Sequence, residues 1–152
     1  MFVKARDKIL SGAAPGFELN VLIESCILHL RNLTEFFYPA NAQPDDVIAA
    51  LYAPTWASQG PAISPTLKTA RIRANKELAH LTVTRKPDHD PDKLWNFATI
   101  SGEMKPVIEA FVRLADASKL HPEAIPQLQM VGCPPTLLVL SGHMTCASSD
   151  PG

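Results

Sequence analysis

A chain of 152 residues with 46% hydrophobic content has the length and apolar content of one domain with its own core, which excludes disorder throughout. Its formal net charge of −1 excludes a protein that is basic overall. Three cysteines, Cys26, Cys133 and Cys146, are odd in number and lack a CxxC pair, so a disulfide framework is excluded and a reduced, cytoplasmic setting is expected.

Helical patterns dominate, with almost no strand signal. Residues 1 to 16 form an N-terminal segment with neither a signal-peptide core nor a membrane span, in which a short helix over 1 to 12 is ended by Gly12, Pro15 and Gly16. From Phe17 to Tyr38 the spacing predicts the strongest helix, because Leu19, Ile23, Cys26, Leu30, Leu33 and Phe37 step by four and three. A second stripe, Leu22, Ser25, His29, Asn32 and Phe36, runs beside the first and predicts burial over a wide arc. Pro39 stops this helix. Pro44 starts another that ends near Tyr52, with Asp45 and Asp46 facing the positive end of its dipole. The stretch APTWASQGPAISP then reads as a loop, either a connection or a flap.

Leu67, Ala70, Ala74, Leu78 and Leu81 predict a helix packed on one side. A long pattern follows from Pro91 to about Lys119, with Asp90 as N-cap and a core stripe of Leu94, Phe97, Met104, Ile108, Phe111 and Ala115. Gly102 and Pro106 are expected to kink or split it. A last short helix begins at His121 and Pro122 and fades by Gly132. The tail, residues 132 to 152, holds one apolar run, PPTLLVLSG, which is an edge strand, a segment laid on a partner, or disordered. Cys133, His143 and Cys146 lack a fourth ligand, so no metal site is expected, and no glycine-rich phosphate loop or nucleophile elbow suggests a cofactor. The fold class expected from these elements is all-α: an up-and-down bundle of four main helices, residues 17 to 131, with short accessory helices.

Two polar groups interrupt the apolar stripes. His29, Arg31 and Asn32 lie in the first long helix, where Glu24 and Glu35 are ordinary ion-pair partners for Arg31, while His29 and Asn32 share a stripe with Phe36 and can point into the bundle. Arg73, Glu77 and His80 follow steps of four and three, so their side chains share one ridge. An arginine and a histidine on one ridge can serve phosphate chemistry, one as a permanent cation and the other titrating near neutrality. The same three residues also fit a plain surface ion pair and a histidine at a helix end. Lys68, Arg71, Arg73, Lys76, Arg85 and Lys86 fall within nineteen residues containing one acid, Glu77, which is either a phosphate footprint or a solvated face.

The pairing of LHLRNLTEFF with RIRANKELAHLT resembles the HEPN superfamily, helical domains that pair as dimers and often carry an arginine, four to six residues, then a histidine. Six residues separate Arg73 from His80. The position after the arginine, often polar in active members, is Ala74 here, with Asn75 one place further. The resemblance spans roughly residues 17 to 119 and implies a metal-independent endoribonuclease, often the toxin or defence component of a bacterial system, with no cofactor. In that reading His80 takes the proton from a ribose 2′-hydroxyl or gives one to the leaving oxygen, Arg73 holds the scissile phosphate and the charge that develops on it, and Asn75 orients either group. Lys76, Arg85 and Lys86 guide the RNA backbone, as would His29, Arg31 and Asn32 if they reach the same groove. The implied partners are a second copy of the chain, RNA, and an antitoxin or other protein. The alternative is a non-catalytic dimeric module of the same fold that binds a protein partner or a nucleotide.

Overall fold

The computed structural model describes residues 2–79 and 95–132. His80, Leu81, Arg85, Lys86, the proposed start at Asp90 and Pro91, Leu94, and the tail from Cys133 lie outside the described residues. Within them the chain is all-α. Its helices are α1 (Phe2–Leu10), α2 (Gly16–Phe37), α3 (Ala49–Tyr52), α4 (Trp56–Gln59), α5 (Pro65–Ala79), α6 (Phe97–Leu114) and α7 (Ala124–Gly132), with a 3-10 turn at Ala117–Lys119 before α7. No helix among the described residues is long and apolar enough to cross a membrane.

Helix α2 organises the fold because its apolar arc is wide. Cys26, Ile27, Leu30, Thr34 and Phe37 are buried. Leu22, Ile23, Leu33 and Phe36 are half-buried against the same core. Thr34 is accommodated because its Oγ1 donates to the Arg31 carbonyl at 2.9 Å, so its own hydroxyl is satisfied. Helix α5 packs against α2, and its buried face carries Leu67, Ala70 and Ala74. The two helices run antiparallel, since Arg71 Nη1 donates to the Tyr38 carbonyl at one end and Arg31 Nε donates to Asn75 Oδ1 further along.

Two segments between α2 and α5 depart from expectation, each for a visible reason. The helix expected from Pro44 is confined to Ala49–Tyr52. Residues 43 to 46 instead close a turn, in which the Asp46 carboxylate accepts from Gln43 N–H at 2.8 Å and Asp46 N–H donates to the Gln43 carbonyl at 3.1 Å. The segment read as a loop or flap contains α4 and is anchored by the buried Trp56. Its indole Nε1 donates to the Phe37 carbonyl at 2.8 Å, satisfying one of the acceptors that a helix C-terminus leaves open. The ring lies 5.5 Å from Phe37 and 5.8 Å from Phe111, centroid to centroid, tying the segment to α2 and α6.

Helix α6 begins later than the pattern suggested. Asn96 is its N-cap, accepting from Thr99 N–H at 3.0 Å. It runs unsplit through Pro106. The carbonyl that loses its N–H partner belongs to Gly102, and both Gly102 and Pro106 are solvent-exposed, so water can satisfy the freed acceptor. The expected stripe is otherwise present, with Phe97, Met104, Ile108 and Phe111 buried.

The N-terminal helix packs into the same core. Phe2 and Ala5 belong to the central cluster. Arg6, only 1% exposed, donates to Ser101 Oγ on α6 at 3.1 Å and to the Val131 carbonyl on α7 at 3.0 Å, and pairs with Asp7 at 2.7 Å. One guanidinium therefore joins α1, α6 and α7. Gly12 and Gly16, both at positive φ (67° and 55°), turn the chain from α1 into α2.

Candidate functional site

The polar residues singled out above do not converge on one place. On α5, positions 73 and 75 are about 200° apart around the helix axis. Arg73 is half-buried with its guanidinium carbon 4.1 Å from the centre of the Trp95 ring, a cation–π stack on the approach to α6. Asn75 instead faces α2, where its Oδ1 accepts from Arg31 Nε at 2.6 Å. Asn75 is thus brought to Arg31 and not to Arg73. Lys76 is exposed on the same helix. Arg31 and Asn32 also border a small polar depression of about 280 Å³ with Glu35, Asn41 and Asp46.

The larger feature is a cleft of about 940 Å³ between α1, α2 and the chain from Lys119 through α7. Its floor is apolar: Leu33 and Phe36 from α2, Phe111 from α6 and Leu128 from α7, all buried or half-buried. Phe36 is held there by an edge-on contact with Phe111, centroids 5.3 Å apart. Its rim is polar. Lys4, Asn32, Lys119, His121 and Gln127 are exposed, and His29 is half-buried beside them. Burial of His29 lowers its imidazole below the ordinary value of 6.5, so the ring is neutral and able both to donate and to accept.

Four of the rim residues are positioned by local chemistry. His29 and Asn32 are three apart on α2 and present one ridge to the cleft. Lys119 ends the 3-10 turn, which the Asp116 carboxylate caps by accepting from Ser118 N–H and Oγ–H, and its Nζ donates to the Leu51 carbonyl at 3.3 Å. The hydrogen bond from the Ser118 hydroxyl holds the Asp116 carboxyl below the usual range. His121 Nδ1 accepts from Glu123 N–H at 3.3 Å, which puts the proton of the neutral ring on Nε2. No carboxylate is among the described residues lining the cleft.

No family model, curated protein or solved structure matches this chain.

Of the residues the sequence singled out, His29 and Asn32 reach the cleft, whereas Arg31, Arg73, Asn75 and Lys76 are not among its lining. The sequence did not single out Lys4, Lys119 or His121, because each belongs to a short segment whose meeting with α2 depends on tertiary packing. The only local signal was the half-polar stripe at His29 and Asn32. Among the described residues no group of three or more His, Cys, Asp or Glu side chains could hold a metal ion. Cys26 is no candidate nucleophile: it is fully buried, and burial pushes its thiol up to about 12.

Proposed function

We propose that this chain is a helical binding module that takes an apolar-faced partner in the cleft between α1, α2 and α7. In this reading α2, α5 and α6 are the main helices of an up-and-down bundle, with α1 and α7 sharing the fourth wall, and the setting is reduced and cytoplasmic. The observation that carries the proposal is the cleft itself, an open apolar floor of aromatic and aliphatic side chains ringed by hydrogen-bonding groups, the usual make-up of a recognition site. The engagement of Arg73 with Trp95 and of Asn75 with Arg31 supports it, since both side chains have structural partners. The test is binding of the neutral dye Nile red to the full chain and to Leu128→Lys, with circular dichroism as a check on folding. Enhanced dye fluorescence in the wild type, lost in a folded Leu128→Lys, supports the module; equal fluorescence in both removes the cleft from the account.

A second reading is the metal-independent endoribonuclease. It is favoured by the basic run Lys68, Arg71, Arg73 and Lys76 along α5. It requires His80 as proton-transfer partner and a second copy of the chain. The exposed Phe17, Val21 and Leu28, on one face of α2, are a surface such pairing would bury. Chelator-resistant RNA cleavage by the wild type, lost in folded Arg73→Ala and His80→Ala, would establish this reading, and no cleavage on varied RNAs would end it.

A further inference from the structure

The charge of the cleft names the kind of partner. Among its described lining residues are two lysines, Lys4 on α1 and Lys119 before α7, two histidines, and no acid. Asp116, the carboxylate nearest Lys119 in sequence, is engaged by Ser118 and does not line the cleft. The walls also have a length. The lining stretch of α2 runs from His29 to Phe36 and that of α7 from Ala124 to Val131, each about 10 Å at the rise of an α-helix. Two turns of wall match an apolar ridge of two turns, the i, i+4, i+7 anchors by which an amphipathic helix seats in a groove.

We propose that the cleft binds an amphipathic helix of a partner protein whose polar flanks are acidic. Leucine-like anchors sit on Leu33, Phe36, Phe111 and Leu128, while flanking carboxylates meet Lys4 and Lys119. The inference rests on the binding-module reading and adds to it the partner's shape and charge. Exposed charge pairs contribute little each, so the lysines serve selection and association rate more than total affinity.

The test uses two labelled peptides of about 18 residues, long enough to hold some helix alone, with the same leucine ridge and either glutamate or lysine on the flanks. Fluorescence anisotropy is read with the full chain, with Lys4→Glu/Lys119→Glu, and with Leu128→Lys. The acidic peptide is expected to bind wild type more tightly than the basic one. The double charge reversal should weaken it roughly tenfold, and added salt should narrow the difference. Equal binding of both peptides, or indifference to charge reversal in a folded variant, overturns the acidic partner while leaving the module intact. Nile red binding without peptide binding overturns the helical partner alone, as does a decanoate that displaces the dye where the peptide does not. A dimer dissociated by Leu128→Lys but untouched by peptide assigns the cleft to a second copy and likewise overturns the proposal. Failure of both dye and peptides removes the module reading with it.

Discussion

Replacing Arg6 by methionine tests how the cleft is held together. The guanidinium is 1% exposed and donates to Ser101 Oγ and to the Val131 carbonyl, one group on α6 and one on α7. Hydrogen bonds from a charged donor contribute about 1.5–3 kcal/mol each, and both acceptors would lose their partner. Against this, the wild type has to strip water from a guanidinium, and methionine fills part of the space without that cost. Asp7 is 24% exposed, so water would largely compensate its carboxylate. The net expectation is a loss of about 2 kcal/mol, or about 4–8 °C in melting temperature for a chain of this length. Thermal and urea unfolding followed by circular dichroism measure it. Because Val131 also lines the cleft, Nile red affinity should fall in the still-folded variant at low temperature. A variant as stable as wild type with unchanged dye binding would refute the view that this arginine pins α7 against α1 and α6.

Other outcomes follow from the same packing. Trp56→Phe removes the indole bond to the Phe37 carbonyl and part of a buried ring, and should cost about 1–2 kcal/mol in urea unfolding. His29 is depressed by burial, so below its ordinary 6.5 the unfolded chain binds the proton first: its contribution to stability is complete above pH 6.5 and is lost as pH falls through the depressed folded value. Melting temperatures of wild type and His29→Gln should therefore draw together as pH falls from 6.5 to the depressed folded value, and a constant difference across that window would contradict the assignment. Cys26, with its thiol near 12 and no exposure, should resist alkylation in the folded chain and react on unfolding, as peptide mapping by mass spectrometry would record.

The sequence announced the helical class and the two helices with the clearest stripes. Cys26, Leu30 and Phe37 on α2 and Leu67, Ala70 and Ala74 on α5 are buried where a 3.6-residue repeat puts them. Local chemistry misled at Pro44, where Asp46, three residues before the first helical residue, favoured closing a turn over capping a longer helix. It misled again at Trp56, whose burial depends on an acceptor at the far end of α2 that no local pattern reveals. Arg6 shows the same limit, since a charged residue in a short N-terminal helix gives no hint of partners at Ser101 and Val131. The cleft was legible only in half. His29 and Asn32 stood out as polar residues on an apolar stripe, but Lys119 and His121 join them only through the fold of α6 onto α7.

The most direct test of the account is an amide chemical-shift titration of the isotope-labelled full chain with the acidic amphipathic peptide. If the cleft is the binding site, perturbations will concentrate on Leu33, Phe36, Leu128 and Met130 and on the flanks at Lys4 and Lys119. Perturbations centred on Arg73, Trp95 and Lys76, or none at saturating peptide, would contradict it.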